Sequence, residues 1–506
     1  MESTFRALQV ARSALNAHRK AMDVAAHNVA NASTEGYSRQ QVVLTATSSS
    51  SPYYTGQTGI TYAGYGAQDA TKGAIGYLLG TGVTVHTITR MRDAYLDLQV
   101  RNESTRWGYW KTRSQGLMQV EVIFNEPSES GLASIMNRFW DAFELLAANP
   151  ESSAARNTVI AEATSLSEAF QDASRKLDDL AGSMDKALEA RASEITSLAR
   201  QIAHLNDEIA GLAGTGAEPG DLLDRRDLAL DRLSELGDIE VYNDHSGGVS
   251  VMFGGIDLVR GTDWREIRYV SPGYGVRMEE GPVFGPGGPY FVVGAGGSFD
   301  GGLVAAEGNT LVPVRVNGGE TKAYLDMRKD YLPKIAEDLD ALADALRSRV
   351  NEVHRAGYGL DGVSGRQFFA DGSGARDLRL HDDVALSPEK IAASLSGAVG
   401  DGSNALSLAA IRREAVCQGA TPGDFYNSIV TGLGVAGHEA KRMSENQEVL
   451  RSHVLDQRSG ANGVSLDEEM VEIIKSEHAY QAAARVVTSV DEMVSTIIDR
   501  MGLVGR

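Results

Sequence analysis

A single cysteine, Cys417, stands in 506 residues. This excludes an intramolecular disulfide and any cysteine-built zinc site. Aromatic residues are scarce at 7%, so the core has to be mostly aliphatic. Positive charge is in deficit: Lys and Arg total 48 against 68 Asp and Glu, a net charge of −20. Such a chain lacks the concentrated basic surface that binds nucleic acid by displacing counterions, and an anionic membrane would repel it. No stretch approaches the ~20 apolar residues of a membrane helix. The opening residues, MESTFRALQVARSALNAHRK, are amphipathic and lack an apolar run before a small-residue cleavage site, so no cleaved signal peptide is expected.

What is present begins at the two ends. Leu8, Leu15, Met22 and Val29 recur at every seventh position. Leu466, Ile473, Tyr480, Val487 and Val494 do the same near the other terminus. A seven-residue apolar repeat draws one slowly drifting stripe along a helix. Such a stripe needs a partner, either the other terminus or its copy in a neighbouring subunit. Ala11, His18 and Ala25 form a companion row of smaller residues, suited to close packing. The first helix should stop near Asn31, where Asn31 tolerates a left-handed backbone, Ser33 and Thr34 can bond freed backbone groups, and Gly36 supplies a positive φ. Gln41–Thr47 is β-prone, so the order there is helix, corner, strand.

Between the ends the pattern is mostly helical. A Ser-, Gly- and Tyr-rich connecting segment covers 48–82. Helices follow around 92–125 and 130–149. A long one runs from about Ser153 to Gly211, on the order of 80 Å at ~1.5 Å per residue, with a possible break at Gly182. Its seven-residue spacing through Phe170, Leu177 and Met184 shifts by four before resuming at Leu188, Ile195, Ile202 and Ile209, a stutter. The helix at 221–236 carries Asp224-Arg-Arg-Asp227, read as a solvated charged face. From 239 to about 316, alternating runs such as Val249–Phe253 with glycines at hairpin spacing indicate β structure. Helix returns from Lys322 to Gly357, where Pro333 should kink it or start a new helix. Residues 366–415 look like a short αβ stretch, and 424–458 like a helix. Ser465 caps the last helix, with Asp467, Glu468 and Glu469 in its first turn.

The fold class expected is therefore mainly α with an inserted all-β domain. The N- and C-terminal helices (1–47 with 460–506) form a coiled-coil-like terminal domain. A helical bundle takes 83–238 with 321–459, and the β domain at 239–320 is peripheral.

Catalytic and metal motifs are incomplete. His438-Glu439-Ala-Lys-Arg442 lacks the second histidine of a zinc-protease helix. Asp371–Asp377 lacks the regular ligands and closing glutamate of a calcium loop. His381-Asp382-Asp383 is an ordinary surface turn, and Gly294–Phe299 lacks the third glycine of a dinucleotide loop. No catalytic, cofactor or metal residues are expected. A hydrolase with a carboxylate site in the β domain is the alternative of a different class.

The corner Ala30, Asn31, Thr34, Gly36 and Tyr37, following an amphipathic helix, resembles the signature of the rod, hook and hook-associated axial proteins of the bacterial flagellum. Gly463-Val-Ser-Leu466-Asp-Glu-Glu469-Met470 with Tyr480-Gln481-Ala-Ala-Ala-Arg485-Val486 resembles the far end of the hook-associated protein 1 family. The resemblance implies a structural subunit at the hook–filament junction, outside the cell and exported without a cleaved signal; another axial subunit is the alternative. It implies self-assembly into a hollow tube through Leu8, Leu15, Met22 and Val29 against Leu466, Ile473, Tyr480, Val487 and Val494. Its partners would be copies of itself, hook protein, the second junction protein and filament subunits. It also implies a cytoplasmic export chaperone on Ile473, Tyr480, Val487 and Val494.

Overall fold

The structure, a computed structural model, describes residues 2–47, 53–54, 76–77, 80–212, 219–244, 247–271, 283–285, 288–292, 301–307 and 310–501. Helix α1 (Glu2–Asn31) leads through the corner into β1 (Gln40–Ala46). β2 (Tyr53–Tyr54) and β3 (Gly76–Tyr77) pair with each other. Apart from these and 80–82, the 48–82 segment lies outside the described residues, as does the Gly294–Phe299 loop. β4 (Val83–Arg90) returns antiparallel along β1, from Gln40 opposite Arg90 to Ala46 opposite Val83, with an irregularity between Val43 and Leu44.

The helical body follows as α2 (Ala94–Phe124), α3 (Leu132–Ala148), α4 (Ser153–Leu212) and α5 (Gly220–Leu236). Asp93 caps α2 by accepting from the Tyr95 N–H at 2.8 Å. On α3 the i, i+3, i+4 set Leu132, Ile135, Met136, Phe139, Trp140, Phe143 and Leu146 is buried, as expected for one apolar helix face. Phe139 meets Phe143 edge-on at 5.2 Å and lies 6.1 Å from Phe368.

α4 runs unbroken for 60 residues. Gly182 does not interrupt it: one glycine costs only ~1 kcal/mol in a helix, and the buried row continues on both sides of it. The stutter has a structural counterpart. Phe170, Leu177 and Met184 belong to the core of the helical body, whereas Ile195 and Ile202 belong to a second core shared with the strands. The row shifts register where its packing partner changes.

The β part holds a four-stranded antiparallel sheet, β5 (Ile239–Asn243), β6 (Val249–Phe253), β7 (Ile256–Arg260) and β8 (Asp263–Trp264), in sequence order. β9 (Ile267–Val270), β10 (Val283–Gly285), β11 (Gly288–Val292), β12 (Gly302–Glu307) and β13 (Thr310–Pro313) form a second sheet in the order β10-β11-β13-β12-β9. Val249, Val251 and Phe253 alternate inward onto α4 and α5.

α6 (Gly319–Asp326) passes into a π-helical turn, Met327–Tyr331, before α7 (Leu332–Ala356). Pro333 thus starts a new helix, and the preceding turn widens so that the Leu332 N–H bonds the Met327 carbonyl. The αβ expectation for 366–415 is corrected in part. α8 (Asp382–Leu386) and α9 (Ser403–Ala410) form, but Phe369 and Leu380 make only an isolated bridge. Phe368 and Phe369 are both buried, but no strand pairs along them. Asn351 replaces a strand partner, accepting from both of their N–H groups at 2.8 Å and donating to the Phe369 carbonyl at 2.9 Å. Nearby, buried His354 donates from Nδ1 to the Arg366 carbonyl and accepts at Nε2 from the Ala392 N–H, both at 2.9 Å. Burial lowers its pKa to about 4.

α10 (Pro422–Asn462) packs along α2, and α11 (Leu466–Met501) along α1. None of the described helices is long and apolar enough to cross a membrane. Among the described residues no three His, Cys, Asp or Glu side chains are placed to hold a metal.

Candidate functional site: the terminal helix pair and its corner

α1 and α11 lie antiparallel, since Asn28 meets Glu469 while His18 and Ala21 line the same groove as Ser476 and Ala479. The seam buried within the chain is made of small and polar residues. On α1, which packs against the β1–β4 pair as well as α11, the buried positions are Ala11, Ala17, Ala21, Val24, Ala25 and Asn28; on α11 they are Glu469, Ser476, Ala483 and Val490, again at every seventh position. Small residues let the two backbones approach closely. The large residues singled out by the repeat sit beside this seam. Leu15, Met22, Val29, Ile473, Tyr480, Val487 and Val494 are half-buried, and Leu8 and Leu466 are exposed. Met470, Val471 and Ile474 are also exposed on α11, at 51%, 63% and 47%.

The corner is built around Asn28 rather than Asn31. Asn28 is buried; its amide donates to the Gln40 carbonyl at 2.8 Å and to Glu469 Oε2 at 2.9 Å. Its Oδ1 accepts from the Gln40 N–H at 3.0 Å and from the Tyr37 hydroxyl at 2.8 Å. One side chain thus joins helix, corner, strand and the far end of the chain. Burial, with Asp221, Asp224 and Glu469 nearby, pushes the Tyr37 pKa up, so Tyr37 remains a donor. Asn31 is the last helical residue and keeps a right-handed backbone; the positive φ in the corner belongs to Gly36, at 78°. Asn31 donates to the His27 carbonyl at 3.1 Å, and the Thr34 N–H bonds the Asn31 carbonyl at 2.9 Å. Ala30 is exposed.

Beneath the corner lies an ion-pair network that corrects the reading of Asp224-Arg-Arg-Asp227 as a solvated face. Asp224 accepts from the Ser38 N–H at 3.0 Å and pairs with Arg90 at 2.7 Å. Asp227 pairs with Arg90 at 2.9 Å and Arg92 at 3.3 Å, and Arg92 holds Asp97 at 2.7 Å. Asp231 takes Arg101 at 3.0 Å and Arg458 at 2.6 Å. Four arginines face four aspartates, and every one of these side chains is less than a fifth exposed. Arg226 turns the other way, to Asn206 at 3.1 Å and the Gly247 carbonyl at 2.9 Å. Burial raises the pKa of Asp227, but Arg92, Arg90 and Arg101 outweigh it and hold the carboxyl below its usual range. The network fastens the β1–β4 pair to α2, α5 and α10.

Comparison with known proteins matches these parts one by one. Residues 8–37, which contain the corner, match the flagella basal body rod protein family. Residues 459–500 match the flagellar basal body rod FlgEFG protein C-terminal family, and 117–369 the helical domain of flagellar hook-associated protein FlgK. Flagellar hook-associated protein 1 of Bacillus subtilis is 32% identical over 533 aligned residues, covering 100% of both chains. The chain belongs to the flagellar hook-associated protein 1 family. Its members are structural proteins of the flagellar hook–filament junction, which makes this chain a flagellar component that interacts with other axial proteins. The Escherichia coli relative is 28% identical over 383 residues, which span 74% of this chain and 62% of that protein. The solved flagellar hook junction protein FlgK of Burkholderia pseudomallei shares the fold, with a TM-score of 0.61 at 17% identity over 72% of this chain and 100% of that one.

Asn28, Arg39, Arg90 and Arg92 escape the sequence reading, and Glu469 is read only as a first-turn acid of the last helix. One signal was available: Asn28 is a polar residue seven positions after Ala21, on a row of small residues.

Proposed function

We propose that the chain assembles with copies of itself into a hollow tube, with hook protein at one end and the second junction protein and filament subunits at the other. The large apolar residues left beside the α1–α11 seam support this reading. Leu8, Leu15, Met22, Val29, Leu466, Ile473, Tyr480, Val487 and Val494 would meet neighbouring subunits. At roughly 1.5–3 kcal/mol for each apolar side chain fully buried, several per subunit hold a tube together. Before assembly the same residues need cover, because exposed apolar patches promote aggregation. An export chaperone on Ile473, Tyr480, Val487 and Val494 supplies it, and the chain leaves the cell through the flagellar channel without a cleaved signal. The role is structural, without catalysis and without a nucleic-acid or membrane partner.

The test is incorporation into flagella of Leu15→Asp and Val487→Asp variants. Both should be lost from the hook end while the helical body melts as in the parent chain; retained incorporation sinks the proposal. Labelling intact flagella should give a thin band at the hook end, whereas continuous labelling would make the chain a hook or filament subunit.

A further inference from the structure

α10 and α11 are separated only by Gly463-Val-Ser465 and share no extended packing face. Each is held by its own partner, α10 by α2 and α11 by α1. Gly463 shapes the elbow: a Cβ there would lie 2.3 Å from the Ser459 carbonyl oxygen. The contacts that bridge the elbow converge on Arg39. Its N–H donates to the carbonyl of Asn462, the last residue of α10, at 3.0 Å. Its guanidinium reaches both Glu468 and Glu469, in the first turn of α11, at 2.6 Å each. Its carbonyl accepts from the Met91 N–H at 2.8 Å, tying the elbow to the end of β4 and thus to the ion-pair network.

We infer that Arg39 is the positioning residue of this joint, setting the angle between α10 and α11 and with it the direction in which the terminal helix pair leaves the helical body. Glu468 and Glu469 are adjacent, so their side chains diverge around the helix. A planar guanidinium fork reaches two divergent carboxylates in a fixed geometry, which a compact ammonium holds less firmly. Buried Asn28 supports the joint from below through its bond to Glu469. The inference concerns the folded chain itself and stands apart from the assembly reading.

The experiment measures the distance between nitroxide labels at exposed Glu445 on α10 and His478 on α11, in the full chain with Cys417 replaced by Ser. One narrow distance population is expected. Arg39→Ala should broaden it at least twofold, Glu468→Ala with Glu469→Gln should broaden it similarly, and combining all three should add little. Arg39→Lys should restore part of the narrowing. Circular dichroism on each variant identifies any that fails to fold; should Arg39→Ala do so, Arg39→Lys decides by its width against the parent. A distribution equally narrow without the guanidinium, or already broad in the parent chain, overturns the inference.

Discussion

Asn28 of the first helix and Glu469 of the last share a 2.9 Å hydrogen bond across 441 positions of sequence. The bond is buried, and the two partners are 1% and 2% exposed. It adds the far end of the chain to a side chain that already joins the first helix to the corner and strand.

Replacing Asn28 with Ala removes the acceptor for the Gln40 N–H and Tyr37 hydroxyl and a donor to Glu469. Each group left unsatisfied costs ~1–3 kcal/mol. Amide exchange at Gln40 should accelerate at least tenfold, with the protection of α3 and α7 unchanged. Unchanged exchange at Gln40 would count against the clamp.

Asp227 should be costly to remove. Asp227→Ala leaves Arg90 on Asp224 and Arg92 on Asp97 in a partly buried site, and the lost charged hydrogen bonds cost about 1–3 kcal/mol. Chemical denaturation reads the difference. The pH dependence has a definite sign: a carboxyl held below its ordinary 3.8 stabilises fully above that value and loses its contribution as the pH falls further. An Asp227→Asn chain should accordingly show a shallower loss of stability below pH 3.8 than the parent.

His354 acts in a higher window. Its folded pKa of about 4 lies below the ordinary 6.5, so the unfolded chain takes up a proton that the folded chain refuses. Stability should decline as the pH falls from 6.5 toward 4, by on the order of 3 kcal/mol for this group. Histidine resonances followed by NMR titration should show one imidazole that stays neutral at pH 5.5.

Gly182→Ala should stabilise. No atom stands within 4 Å of a Cβ built there, and alanine in a helix interior is favoured over glycine by roughly 0.5–1 kcal/mol. A raised melting temperature is expected, and a lowered one would place a bend at this position.

The features legible in the sequence were periodic ones. The helices, the stutter in α4 and the start of a new helix at Pro333 all follow from local spacing or from backbone restrictions. Features that depended on distant partners were not legible. Asp224 and Asp227 look the same on a solvated helix as on a buried one; only the arrival of Arg90, Arg92 and Arg101 from β4, the β4–α2 connection and α2 distinguishes the two. The β part expected in 366–415 reduces to an isolated bridge because sequence says nothing of whether a partner strand exists, and Asn351 supplies hydrogen bonds to Phe368 and Phe369 instead. The terminal repeat pointed to helix pairing but favoured its largest residues. The positions buried within the chain went mostly to small and polar residues, whose hydrophobic signal is weak.

The unbroken α4 has a mechanical consequence. Its first half is packed into the core of the helical body and its second half into the core shared with the strands. A force applied to the sheets, by drag or by a neighbour, therefore has no linker in which to dissipate. It passes along one continuous helix from the strand core into the core of the helical body.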